Sequence, residues 1–129
     1  MENTPRLFRI FVPVSDLAAS IEFYAELFND PGREIRGGRH YFDCGEVILA
    51  LVENSGAPIA DHLYFSVDDL EQVFERAGKL GCLETGEVHG EPSGAIVVRP
   101  WRERSFYVRD PFGNGLCFVD SKTLFTGLR

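Results

Sequence analysis

The sequence predicts an α+β domain of two βαβββ modules in one chain, forming curved mixed sheets around a cavity. Three observations predict it. First, residues 9–17, Arg-Ile-Phe-Val-Pro-Val-Ser-Asp-Leu, match residues 62–70, His-Leu-Tyr-Phe-Ser-Val-Asp-Asp-Leu, at an offset of 53: an apolar strand, a polar residue, then Asp-Leu. Second, each copy runs into apolar residues at helical spacing. Third, the period then switches to two, which implies hairpins and a mixed sheet beside each helix.

The elements follow in order. A strand over 9–14 leads into a helix carried by Leu17, Ile21, Tyr24 and Phe28, with Ser15 or Asp16 as its cap. Residues 33–53 read as strands broken at Gly37-Gly38 and Cys44-Gly45. Residues 54–60 form a linker. The second strand, 62–67, leads into a helix carried by Leu70, Val73, Phe74, Ala77 and Leu80, and Asp68 with Glu71 resembles a capping box. Residues 82–120 read as strands broken near Gly90–Gly94 and at Asp110-Pro111-Phe112-Gly113-Asn114-Gly115, a strong turn. The modules span about 6–53 and 61–120 of a single domain, 1–129, with a tail at 121–129.

Alternation sorts the strand faces. Ile10, Val12 and Val14, Leu63, Phe65 and Val67, Val47, Leu49 and Leu51, and Leu116 and Phe118 form faces suited to helices. Arg9, Phe11, His62, Tyr64, Glu46, Ala50 and Cys117 fall on mixed faces, the predicted cavity lining.

The net charge of −7 opposes nucleic-acid binding. No apolar run approaches the roughly 18–20 residues of a membrane span, and the polar start Met1-Glu2-Asn3-Thr4-Pro5 has no signal-peptide pattern. A cytoplasmic protein is expected. Eleven basic residues are Arg and two are Lys. They cluster at Arg33, Arg36 and Arg39 and at Arg99, Arg102, Arg104 and Arg109, either for planar, bidentate anion recognition or as solvated strand edges. Cys44, Cys82 and Cys117 fit neither a disulfide framework nor a zinc pattern.

Val12-Pro13-Val14-Ser15-Asp16-Leu17 with Ser20-Ile21-Glu22-Phe23-Tyr24, the repeat at Val67-Asp68-Asp69-Leu70, and Arg104–Asn114 with its Asp-Pro-Phe-Gly-Asn turn resemble the vicinal oxygen chelate superfamily. This is the glyoxalase, bleomycin-resistance and extradiol-dioxygenase fold. The resemblance covers about 6–120. It implies a divalent metal held from the first and last strand of each module, at positions that fall here on Arg9, Ala50, His62 and Cys117. Only His62 is an ordinary ligand, so no cofactor is expected and a metal is disfavoured.

Within that cavity His62 is a possible base or a structural histidine. Arg9 either binds a ligand anion or pairs with Glu46. His40 matches Tyr107 when the two hairpins are aligned, both toward the cavity, and a slip of one residue turns them away. Trp101 either stacks on a planar ligand or packs as a lid, while Phe11, Tyr64, Tyr107 and Cys117 add lining. His89 is expected in solvent. The expected partner is a small molecule, an aromatic or conjugated acid, taken by a homodimer that binds neither nucleic acid nor membrane. A lyase, isomerase or dioxygenase-like enzyme is the rival reading.

Overall fold

A computed structural model describes residues 4–54 and 61–127. The chain divides into two compact units, Met1–Ile59 and Ala60–Arg129. Most of the expected linker, residues 55–60, lies outside the described residues, as do 128–129 of the tail. The fold is α+β, with one βαβββ module in each unit. No helix among the described residues is long and apolar enough to cross a membrane.

Unit 1 holds β1 (Arg9–Val14), α1 (Leu17–Phe28), β2 (Arg33–Ile35), β3 (Arg39–Cys44) and β4 (Val47–Glu53). The sheet order is β1-β4-β3-β2, with β1 and β4 parallel and the other pairs antiparallel. Asp16 caps α1 by accepting from the Ala19 N–H, and Asn29 ends it in the left-handed region. The buried stripe of α1 is Ser20, Phe23, Tyr24 and Leu27, rather than the expected Leu17, Ile21, Tyr24 and Phe28. Tyr24 lies at the centre of both patterns; the helix is rolled so that Ile21 and Phe28 flank the contact. The Phe28 ring still meets Phe42 at 5.4 Å, edge to face. Val12, Val14, Leu49 and Leu51 are buried on that same side, as alternation predicts.

Unit 2 holds β5 (Leu63–Val67), α2 (Leu70–Leu80), β6 (Glu87–Val88), β7 (Glu91–Pro92), β8 (Val97–Val98), β9 (Arg104–Arg109) and β10 (Gly115–Asp120). The main sheet runs β5-β10-β9-β8, and β6 and β7 form a separate small hairpin. Phe74, Phe106, Phe118 and Phe65 pack in one aromatic row between α2 and the sheet, with centroids 5.2–5.5 Å apart. The cap of α2 is Asp69, accepting from the Gln72 N–H, and not Asp68. Asp68 accepts from the Ser121 hydroxyl at 2.7 Å, and Glu71 pairs with Arg104. Asp69 lies 53 residues beyond Asp16, so both helices start from the same repeat position.

The turn after β9 holds together as expected. Asp110 Oδ1 accepts from the Phe112 and Asn114 N–H groups at 2.8 Å, and Oδ2 accepts from Asn114 Nδ2 at 2.8 Å. One arginine departs from the solvated reading. Arg99 is 2% exposed and makes five hydrogen bonds, to the Ser105 hydroxyl and to the carbonyls of Pro92, Ser93, Ala95 and Ser105. It pins the segment between β7 and β9.

Candidate functional site

In unit 1 the register sets Phe11, Ala50 and Tyr41 side by side across β1, β4 and β3. Arg9 is two residues back along β1, and its guanidinium lies 5.1 Å from the Phe8 ring, 5.6 Å from Phe11 and 5.9 Å from Tyr41. The Arg39 guanidinium also lies over the Phe11 ring, 5.7 Å from its centroid. Arg33 lies over Tyr41 and pairs with Asp43. Among the described residues Arg9 has no carboxylate within ion-pair distance, so the expected alternative with Glu46 is not formed. Phe11 remains 55% exposed.

His40 does not share this face. It pairs with Leu51 and Glu34 in register, and its ring meets Phe42, on the side where α1 packs. Its Nε2 is 2.8 Å from the Pro31 carbonyl, and Nδ1 is buried with no hydrogen-bond partner among the described residues. The expectation was off by one residue, because Tyr41, not His40, occupies the row that corresponds to Tyr107.

In unit 2 the corresponding row is Tyr64, Cys117 and Tyr107. Tyr64 is exposed, while Cys117 and Tyr107 are buried with Val119 beneath Val88. The Arg99 guanidinium lies 5.1 Å from the Tyr107 ring centroid. Burial pushes the Cys117 thiol up to about 11 and raises the Tyr107 phenol too, so both stay protonated at neutral pH. The two phenol oxygens of Tyr64 and Tyr107 are 3.4 Å apart.

His62 stands at the entrance to β5, with its ring edge-on to Tyr107 at 5.0 Å. Its Nε2 is 2.7 Å from Glu84 Oε2, and Nδ1 is 3.2 Å from Asp61 Oδ1. Arg109 Nε reaches the same Glu84 oxygen at 3.2 Å and donates from Nη1 to the Gly113 carbonyl at 2.9 Å. Gly115 makes room for both side chains. A Cβ there would sit 2.8 Å from His62 Cδ2 and 3.2 Å from Arg109 Nη1.

Glu84 and Arg109 also border an open recess of about 370 Å³, lined by residues 81–86 and Arg109. None of the expected lining residues borders it. Glu84 escaped the sequence reading because it lies in a short bridging segment, paired to β9 through Leu83 and Val108, too short to show a period. Arg109 carried a signal, as the last residue before the Asp-Pro turn.

Trp101 is half-buried and committed to its own chain. Its indole N–H donates to Glu103 Oε1 at 2.7 Å, and its ring meets His89 edge to face at 5.3 Å. His89 is therefore exposed but not free, as solvated His89 would be. The second oxygen of Glu103 accepts from the Phe125 N–H at 2.8 Å, tying the tail to the same carboxylate.

The four positions implied for a metal do not make a metal-ligand set. In unit 1 they carry a guanidinium and a methyl group. In unit 2 they carry an imidazole engaged by carboxylates and a buried thiol held protonated.

Known structures of the same shape are numerous. The oxidase ChaP-H2 is 26% identical, with a TM-score of 0.74 over 91% of this chain and 94% of its own. A lactoylglutathione lyase from Agrobacterium tumefaciens is 23% identical, with a TM-score of 0.67 over 93% and 96%. TioX from Micromonospora sp. ML1 is 16% identical, with a TM-score of 0.67 over 91% and 99%. The comparison with curated proteins gives no match. The family profile described as Glyoxalase/Bleomycin resistance protein/Dioxygenase superfamily matches residues 6–118, from the approach to β1 to within β10. Because that match runs through both repeats and the Asp-Pro-Phe-Gly-Asn turn, the chain belongs to the glyoxalase/bleomycin resistance protein/dioxygenase superfamily.

Proposed function

We propose that this protein is a small-molecule binding member of its superfamily that works without a metal and takes an aromatic or conjugated acid. One observation carries the reading. Arg9, at a position implied for a metal ligand, lies among three aromatic rings, with no carboxylate among the described residues within ion-pair distance. A permanently charged, planar donor set beside exposed rings matches a planar anion. Calorimetry with aromatic acids against planar cations tests this. Acids bind more tightly, and Arg9→Ala weakens them about tenfold or more. Tighter binding of cations overturns the reading. Elemental analysis tests the metal. One tightly held transition metal per chain, lost in His62→Ala, refutes metal independence.

A homodimer in the cytoplasm completes the proposal. Exposed Phe8, Phe11 and Tyr64 favour a covering partner, and three free thiols suit a reducing compartment. Light scattering that gives a monomer at every concentration removes the dimer.

A second reading is supported by the 2.7 Å contact of His62 with Glu84. Glu84 orients the ring as a carboxylate orients a general base, and Asp61 at Nδ1 is exposed and easily displaced by a substrate. Two of the structural relatives are by name a lyase and an oxidase. A reaction abolished by both His62→Gln and Glu84→Gln, with the fold intact, favours this enzyme over the binding protein.

A further inference from the structure

The row Phe11–Ala50–Tyr41 has its smallest side chain in its middle. Ala50 is fully buried and offers only a methyl group between two aromatic neighbours. The Phe11 ring therefore meets guanidiniums from two strands, Arg9 of β1 at 5.6 Å and Arg39 of β3 at 5.7 Å. The third arginine of this face, Arg33, is already neutralised by Asp43. Arg9 and Arg39 have no carboxylate within ion-pair distance among the described residues. That is notable in a chain with 20 acidic and 13 basic residues. Two unpaired cations on one ring repel each other, and each gains from an anion. A ligand with a single acid neutralises one and leaves the other.

We propose that Arg9, Phe11 and Arg39 form a receptor for an aromatic molecule carrying two acidic groups. The ligand ring packs on the exposed Phe11 ring, and one anionic group sits at each guanidinium. This rests on the proposed binding of an aromatic acid and names its class more narrowly.

Calorimetry at low salt with benzoate and the 1,2-, 1,3- and 1,4-benzenedicarboxylates tests it. At least one dicarboxylate binds about tenfold more tightly than benzoate. Arg9→Met and Arg39→Met each bring that dicarboxylate to within about twofold of benzoate, whereas Arg33→Met leaves the ratio unchanged. All three side chains are exposed, so circular dichroism of each variant matches the parent. Benzoate bound in an Arg9-dependent way, with no gain from a second carboxylate, overturns this inference and leaves the broader reading standing. Absence of binding by every acid overturns both. Variants that change the mass by light scattering without changing affinity show the face to be a contact between copies, and also overturn it.

Discussion

The two mixed faces carry different side chains on one scaffold. Phe11, Ala50 and Tyr41 in unit 1 correspond strand for strand to Tyr64, Cys117 and Tyr107 in unit 2. In unit 1 the chain passes from α1 through the short β2 straight into β3, and the row is flanked by the exposed Arg9 and Arg39, with Phe11 exposed and Ala50 and Tyr41 buried. In unit 2 it takes a detour through β6, β7 and β8, which brings Val88 and Arg99 onto Tyr107. In both units the ring on the first strand is exposed and the other two residues of the row are buried, and what differs is the cover: exposed arginines in unit 1, Val88 and the buried Arg99 in unit 2. The connection after the helix decides which. An arginine also changes meaning between them. Arg9 is exposed among rings, and Arg99 is buried among carbonyls.

The largest test of this contrast exchanges charge for hydrocarbon in each unit. Arg99→Leu strips five acceptors of their donor and is expected to cost about 3–5 kcal/mol in urea unfolding, as the loss of a buried charged partner does. Arg9→Leu is expected to stay within about 0.5 kcal/mol, as for an exposed residue. Equal costs would erase the distinction between the faces.

A smaller effect is expected at Gly115. Gly115→Ala forces His62 and Arg109 to move and costs about 1–3 kcal/mol, as overpacking does. The same variant shifts the His62 ring resonances in NMR, because the ring leaves Glu84. Unshifted resonances would show that the pair does not depend on this glycine.

Smaller still are the two caps, where the units should agree. Asp16→Ala and Asp69→Ala are each expected to cost about 1 kcal/mol. Asp68→Ala costs less, since it caps nothing. A reversed order at 68 and 69 would restore the capping box.

A separate effect lies at alkaline pH. Burial raises Cys44, Cys82 and Cys117 from 9.0 to about 11. The unfolded thiols ionise first, so the unfolded state holds fewer protons between those values. Stability therefore falls as pH rises from about 9 to 11, and is unaffected by these groups below that window. Cys117→Ala flattens the slope there, whatever its effect at pH 7. An unchanged slope argues against a desolvated thiol at this position.

The fold was readable because its signals are long. The 53-residue offset, two amphipathic helices and the Asp-Pro turn each span several residues and agree with one another. Site residues fared by the same measure. Arg9 and Phe11 lie on a well-formed strand and His62 at the mouth of another, where alternation is easy to follow. His40 failed because β3 follows two glycines at positive φ, Gly37 and Gly38, which leave the register unmarked. Glu84 and Arg99 failed because they sit in segments of two or three residues, where periodicity carries no information. Arg39 was visible as part of a charge cluster, but its meeting with Phe11 depends on the small side chain at position 50, a three-strand coincidence.

Glu103 joins two distant stretches of chain through one carboxylate, and one of them carries the only tryptophan. The protein thereby contains its own optical gauge. Emission from Trp101 reports whether the segment around Phe125 is seated, with no label added. Any event that lifts that segment, whether a protease, a ligand or a neighbouring copy, releases one oxygen of Glu103 and alters the hydrogen bond to the indole. Fluorescence can then follow the tail while calorimetry follows the ligand, in the same sample.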